Sequence, residues 1–381
     1  MRFPEFTEEW KEEQLDNIAT LSKGIGISKE QLSEDGEPCI LYGELYTKYK
    51  SEIIKQVESK TDINGSKLKR SKANDVIIPC SGETAVDIAT ARCVPFDNIL
   101  FGGDLNVISL HQYDGAFMSY QLNGKRKYDI ARVAQGVSIV HLYGEHLKAI
   151  KTYNPTLPEQ QKIAKLLSLL DDRIDTQNKI IEDLKKLKSA IIDQLYSAIK
   201  GKGYSYRQIF EIVNERNKQL EYSNILSASQ EKGMVNREDL NLDIQFERSN
   251  INTYKVVRKG DYVIHLRSFQ GGYAFSDKIG VCSPAYTILR PNDLLEFRYL
   301  SYYFTSQKFI KSLIIVTYGI RDGRSINVEE WLDMKTTIPQ KEQQRHIVDT
   351  IRNIEKKIEN EELYASYLSK QKQYLLRQLF I

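Results

Sequence analysis

The sequence predicts a mixed α/β (α+β) chain: two globular domains separated by two long helices that pair as an antiparallel coiled coil, the whole forming a pseudo-two-fold internal repeat. Three observations predict it. First, "PTLPEQQKIAKLLSLLDDRIDTQNKIIEDLKKLKSAIIDQLY" (Pro155 to Tyr196) aligns without a gap with "PQKEQQRHIVDTIRNIEKKIENEELYASYLSKQKQYLLRQLF" (Pro339 to Phe380) at a constant offset of 184 residues. An internal repeat of this length sets the architecture. Second, apolar residues in both stretches recur at alternating spacings of four and three, the pattern of a coiled-coil seam. Third, the regions before each stretch hold short apolar runs broken by Gly, Pro, Asn and Asp, which read as strands and turns.

In order, residues 1–152 form the first mixed domain, with strand-like "DVIIPCSG", "NILFGG" and "NVISL". Residues 153–200 form the first long helix, which the glycines of "KGKGYSY" bring to an end. Residues 201–337 form the second mixed domain, with strand-like "KVVRKGDYVIHL" and "AYTILRP", and residues 338–381 the second long helix. The domains also echo each other: "NDVIIPCSG" (Asn74 to Gly82) and "GDYVIHLRSFQGG" (Gly260 to Gly272) each place an Asp before an apolar strand that ends in a Gly turn.

The first seam runs through Ile163, Leu167, Leu170, Ile174, Gln177, Ile181, Leu184, Lys188, Ile191 and Leu195. The second runs through Ile347, Ile351, Ile354, Ile358, Glu361, Ala365, Leu368, Lys372, Leu375 and Leu379. Both are interrupted at equivalent places, by Gln177 and Glu361 and then by Lys188 and Lys372. Placing polar opposite polar in an antiparallel pair predicts Lys188 facing Glu361 and Gln177 facing Lys372. The same register sets Leu170 against Leu379, Ile174 against Leu375, Ile181 against Leu368, Ile191 against Ile358 and Leu195 against Ile354. Polar seam residues fix register at a cost in stability. The alternative is that each helix packs only on its own domain.

With 381 residues, 41% hydrophobic content and a net charge of +3, the chain can bury real cores and has no polyelectrolyte character. The four cysteines (Cys39, Cys80, Cys93, Cys282) have no C-x-x-C spacing, which suits a reduced, cytoplasmic setting. The opening "MRFPEFTEEWKEEQL" has no basic-then-apolar leader, and no run approaches the roughly 18 apolar residues of a membrane span, so no membrane partner is expected. Catalytic patterns are also missing. "KGKGYS" lacks the leading glycine of a phosphate loop, "PCSGET" lacks G-x-S-x-G spacing, and His141 and His146 lack H-E-x-x-H spacing, so neither a catalytic residue nor a metal site is assigned.

What remains is basic segments in both domains. The first domain offers Lys67, Lys69, Arg70 and Lys72, then Ser81 in its Gly turn, then Lys125, Arg126 and Lys127. The second offers Arg258, Lys259, Arg267, Arg321 and Arg324. Arg and Lys interleaved with Tyr, Ser and Asn near Gly turns suit phosphate and base-edge contacts to DNA.

The helix motifs, with "GVSIVHL" and "GRSINVEEWLDMKTTIP" leading into them and "CILYGELYTKY" near the start, resemble the specificity (S) subunits of type I restriction–modification enzymes. The resemblance covers the whole plan of the chain. It is specific in the helices and loose in the domains, and the second domain opens without the common Trp. The resemblance implies two target recognition domains, each reading one half of a split, asymmetric site in double-stranded DNA. It implies a helix pair that sets the spacing. It further implies docking of two methyltransferase (M) subunits, which methylate adenine, and two restriction/motor (R) subunits. S-adenosylmethionine, ATP and Mg would sit on those partners, with no cofactor on this chain and no catalysis by it. The rival readings are a stand-alone enzyme and a coiled-coil scaffold with two protein- or peptide-binding domains and no DNA role.

Overall fold

The structure is a computed structural model that describes residues 2–136, 138–229, 232–239, 248–265, 272–318 and 325–380. The chain divides into two compact units. Unit 1 comprises Met1–Lys179 with Glu362–Ile381, and unit 2 comprises Ile180–Glu361. The division falls within both long helices, so each unit owns a stretch of each.

Unit 1 opens with β1 (Lys11–Gln14) and β2 (Ala19–Lys23), continues with β3 (Lys69–Arg70), β4 (Asp75–Pro79), β5 (Arg92–Val94) and β6 (Leu105–Leu110), and then forms the helix α1 (Gly115–Asn123) and strand β7 (Lys151–Asn154). Its central antiparallel sheet has the order β2-β6-β4-β5. Strand β4, "DVIIP", is buried along its whole length, which is why its apolar residues run on without alternating. Strands β1 and β7 pair antiparallel and bring the chain to the root of α2 (Leu157–Ser197). Pro158 lies in the first turn of α2, where a missing N–H costs nothing.

Unit 2 repeats the plan. Strand β8 (Lys202–Ser205) is followed by β9 (Phe210–Val213), β10 (Tyr262–Ile264), β11 (Tyr273–Phe275) and β12 (Thr287–Pro291), then helix α3 (Tyr299–Tyr303), β13 (Lys335–Ile338) and α4 (Lys341–Gln378). Its sheet order, β9-β12-β10-β11, is the unit 1 order element for element, and β8 pairs with β13 as β1 does with β7. A Cβ on Gly201 would collide with the Ile338 carbonyl, so the glycine that follows α2 is required for this pairing. The faint echo in the sequence becomes a repeated turn. Before β4 the Lys72 N–H donates to Asp75 Oδ2 (2.9 Å), and before β10 the Arg258 N–H donates to Asp261 Oδ2 (2.8 Å). The residues preceding those aspartates, Asn74 and Gly260, both take left-handed backbone (φ 82° and 97°).

The two glutamines aligned by the repeat do equivalent work. Gln160 Nε2 donates to the Pro155 carbonyl (2.8 Å) and its Oε1 accepts from the Asp114 N–H (2.9 Å). Gln344 Nε2 donates to the Pro339 and Leu294 carbonyls (3.0 and 2.9 Å), while its Oε1 accepts from the Glu296 N–H (2.8 Å). Both side chains are buried, so each ties a helix start to the loop before the domain's own helix.

The seam positions of both long helices are buried or half-buried, with Ile163, Leu167, Ile181, Ile347, Ile351, Ile358, Leu368 and Leu379 the most enclosed. The polar contacts correct the predicted register. Lys188 pairs with Glu355 (3.3 Å), not with Glu361, whose carboxylate is engaged by Lys357 on its own helix. Lys372 pairs with Asp171 (2.6 Å) and Glu52 (2.5 Å), not with Gln177. In each unit the carboxylate lies six residues before the predicted partner, close to one heptad. The apolar layers are displaced with them: Ile192 and Tyr196 share a core with Ile347 and Ile351, and Ile163 and Leu167 share one with Leu375 and Leu379. Each lysine pairs with a carboxylate that stands beside the seam, so matching polar seam residue to polar seam residue picks the wrong layer.

Candidate nucleic-acid interface

In unit 1 the basic segment 67–72 lies at the edge of a second, five-stranded sheet, where β3 pairs antiparallel with Leu100–Phe101. Ser71 anchors the strand: its hydroxyl donates to the Phe96 carbonyl (2.6 Å) and accepts from the Ile99 N–H (2.9 Å). Arg70 forks onto both oxygens of Glu37 (2.6 and 3.0 Å), and that hydrogen bonding lowers the Glu37 carboxyl below its usual range. Its guanidinium is therefore committed to the fold. Lys67 and Lys72 are exposed and Lys69 half-exposed, and none of the three has an ion-pair partner among the described residues. They are point charges of the kind that contact phosphates.

Ser81 is buried. Its hydroxyl donates to Asp104 Oδ2 (2.8 Å), and its carbonyl accepts from the Tyr46 hydroxyl (3.2 Å). Lys125, Arg126 and Lys127 lie away from the sheet edge, where α1 ends against α4: a Cβ on the neighbouring Gly124 would lie 3.5 Å from the Leu376 carbonyl oxygen. Arg126 pairs with Asp129 (3.2 Å) and lies over the Tyr153 ring (5.0 Å). Lys127 is half-buried, and burial, then the nearby Arg92, lowers its pKa; Lys125 is exposed. The structure thus separates the predicted residues of this domain into an edge group and a helix-root group.

In unit 2, Arg258 forks onto Glu215 (2.7 and 3.2 Å), which raises the guanidinium pKa and lowers that of the carboxyl. Arg290 pairs with Asp261 behind the same turn (2.9 Å). Lys259 is exposed, with its ammonium 5.5 Å from the centre of the Phe297 ring. Arg267, Arg321 and Arg324 lie outside the described residues.

Sequence reasoning missed a set of exposed tyrosines in the first domain: Tyr42, Tyr46, Tyr128 and Tyr143. Lys23 lies over the Tyr143 ring (5.6 Å), and the His141 ring stacks with it at a centroid distance of 6.2 Å. Tyrosine is spread along the whole chain, 23 in all, so no local pattern marks these four. Such side chains offer flat faces and hydroxyls to a partner. Nucleophilic chemistry is less well served. Burial pushes the thiols of Cys39 and Cys80 up to about 11 and those of Cys93 and Cys282 up to about 12, so they stay protonated at neutral pH. Among the described residues no cluster of His, Cys, Asp and Glu could hold a metal ion, and no helix is long and apolar enough to cross a membrane.

Residues 7–186 match the family model of the type I restriction modification DNA specificity domain. The chain is 26% identical over 299 residues to the MjaVIII type I restriction enzyme specificity subunit of Methanocaldococcus jannaschii, a match covering 70% of this chain and 69% of that one. It superposes on the crystal structure of the type I restriction–modification S subunit from M. genitalium with a TM-score of 0.57 at 16% identity, covering 100% of this chain and 97% of the other. A chain from a structural study of type I restriction–modification complex assembly gives a TM-score of 0.62 at 14% identity, covering 98% and 97%. At these identities the two structures speak for the fold.

Proposed function

We propose that the chain is a specificity subunit of a type I restriction–modification system, which assembles with other subunits and DNA, and that each of its domains reads one half of a bipartite, asymmetric DNA site; the family-model match over residues 7–186 and the similarity to a curated specificity subunit support the reading. The helix pair formed by α2 and α4 sets the gap between the halves. Two methyltransferase subunits dock on the repeated helix regions and methylate an adenine in each half-site, and two restriction/motor subunits complete the assembly. S-adenosylmethionine, ATP and Mg belong to those partners, and this chain contributes recognition without catalysis.

One observation carries the reading: two units share one strand order, one turn before the central strand and one glutamine tie at the helix start. A chain built twice on one plan suits a target read in two parts. The lysines at 67, 69 and 72 supply phosphate contacts, and the exposed tyrosines of the first domain supply further contact area. Base reading needs side chains that enter the groove, and the arginines at 267, 321 and 324 are our candidates in the second domain.

The test is to express the chain with its methyltransferase partner and map methylated adenines on a library of random sequence. The expected motif has two unlike halves separated by a constant gap, with one adenine methylated in each half. A single contiguous motif, or methylation that does not depend on this chain, would overturn the proposal. Peptide binding without sequence-specific DNA binding would instead make it a scaffold.

A further inference from the structure

Each unit contains the same three-part polar contact, made of one group from its domain and one from each long helix. In unit 1 the Tyr120 hydroxyl of α1 donates to Asp171 Oδ2 of α2 (2.7 Å), and Lys372 of α4 pairs with Asp171 Oδ1 (2.6 Å). In unit 2 the Tyr302 hydroxyl of α3 donates to Glu355 Oε2 of α4 (2.6 Å), and Lys188 of α2 pairs with Glu355 Oε1 (3.3 Å). Lysine and carboxylate both obey the 184-residue offset of the repeat, with the helix roles exchanged.

We infer that these two clamps are positioning devices that fix the angle of each recognition domain on its stretch of the helix pair, and thereby the tolerance of the subunit for the gap between half-sites. The inference rests on the bipartite reading above. Most side chains around each clamp are apolar, among them Phe117 and Leu379 in unit 1 and Tyr299 and Ile351 in unit 2, and the other polar ties are few: in unit 2 the Tyr196 hydroxyl donates to the Tyr299 carbonyl and the Gln307 N–H to Asp193 Oδ1 (3.0 Å). Apolar burial has no preferred direction, so it holds a domain on the helices without fixing its rotation. A hydrogen bond and an ion pair that share one carboxylate are directional, and they tie three elements at a single point.

The two clamps differ in strength. That of unit 1 is enclosed and has extra ties, since Ser51 donates to Asp171 (3.1 Å), Glu52 contacts Lys372, and Lys55 pairs with Asp172 and Asp175 (both 2.7 Å). In unit 2, Lys188 and Glu355 stay 30% and 26% exposed. The second domain is therefore the one whose angle yields first, and gap tolerance resides mainly there.

The experiment uses the full subunit with its methyltransferase partner on a library of sites of varied gap. The Tyr302→Phe/Glu355→Gln variant should keep the half-site sequences. Relative to the preferred gap, its methylation at gaps one base pair longer or shorter should rise about three- to tenfold, the scale of one or two lost hydrogen bonds. Tyr120→Phe should change this ratio less, because Ser51 and Glu52 remain. Val263→Ala, a cut in the unit 2 sheet that lowers melting temperature without touching the clamp, should leave the ratio as in the wild type. A double variant with the wild-type gap profile overturns the inference, as does equal broadening by Val263→Ala. A wild type with no gap preference removes the bipartite reading itself, and the clamp with it.

Discussion

Replacing Lys372 by Met should expose how strongly the unit 1 clamp depends on its one cation. The ammonium lies within 2.5 Å of Glu52 and 2.6 Å of Asp171, whose side chains are 9% and 5% exposed. Without it, two buried carboxylates face each other across no more than about 5 Å. At an effective dielectric of about 20 their repulsion is about 3 kcal/mol. Protonation sets a ceiling: holding one aspartic acid neutral at pH 7 costs about 4 kcal/mol, three pKa units at 1.36 kcal/mol each. The expected loss is therefore about 3–4 kcal/mol, within the range for breaking a buried ion pair. The pH dependence has a definite sign. In the variant the shared proton binds the folded state more tightly than the unfolded one, so the deficit shrinks as pH falls, to about 1.5 kcal/mol at pH 5. Burial already raises the Glu52 pKa in the native protein, with Lys372 opposing that rise. Adding Glu52→Gln and Asp171→Asn to Lys372→Met should recover much of the loss at pH 7. The chain has one tryptophan in each unit, so Trp10, packed on Phe117 and Phe380, reports unit 1 once Trp331 is replaced by Phe. Denaturant titration read at Trp10 gives the deficit. A loss below about 1 kcal/mol at pH 7, or a loss that does not shrink by pH 5, would refute the reasoning.

Three further outcomes are expected. A double-mutant cycle on Lys188 and Glu355 should give a coupling of about 0.5–1 kcal/mol, since both groups are partly exposed, and a larger coupling between Lys188 and Glu361 would restore the rejected register. Gln160→Leu should cost about 2–4 kcal/mol in the transition read at Trp10 by orphaning the Asp114 N–H and the Pro155 carbonyl, and Gln344→Leu should do the same in the transition read at Trp331; equal effects of either change on both probes would contradict the repeated tie. Replacing Lys67, Lys69 and Lys72 by Ala in the complex with the methyltransferase partner should weaken DNA binding and flatten its log–log salt dependence by up to about 2.7, and an unchanged slope would remove them from the interface.

The repeat was legible because two helices that bury the same stripe must carry the same spacing of apolar residues, and that pattern survives in one dimension. The register was not, because each lysine pairs with a carboxylate that stands beside the seam. Lys188 and Glu355 are 167 residues apart, and the third member of their clamp, Tyr302, sits in a domain helix of only five residues. The basic segments were visible as composition, but composition does not distinguish a free cation from a paired one. Arg70 finds Glu37 at a separation of 33 residues, and Arg258 finds Glu215 at 43; both partners look unremarkable in the sequence. The exposed tyrosines were invisible for the opposite reason, since their residue type is common in the cores of this chain as well.

Equivalent turns with unlike chemistry show where such a duplicated chain can vary. Lys72 and Arg258 occupy the same place, each giving its backbone N–H to the aspartate that opens the central strand. That aspartate is fixed by the turn, and the left-handed residue before it is fixed by the backbone. The side chain at the first position of the turn is not. In unit 1 it is a lysine with no ion-pair partner among the described residues, while in unit 2 it is an arginine held by Glu215. The same holds at the sheet edge, where Arg70 is drawn into the fold by Glu37 while Lys69 beside it is not. A residue needed by the turn, the strand or the clamp cannot be exchanged without loss of stability. A residue at these free positions can, because its side chain carries no part of the core. Two domains can therefore share a scaffold and still present different charges, as the asymmetric two-part target proposed above would require of a repeated frame.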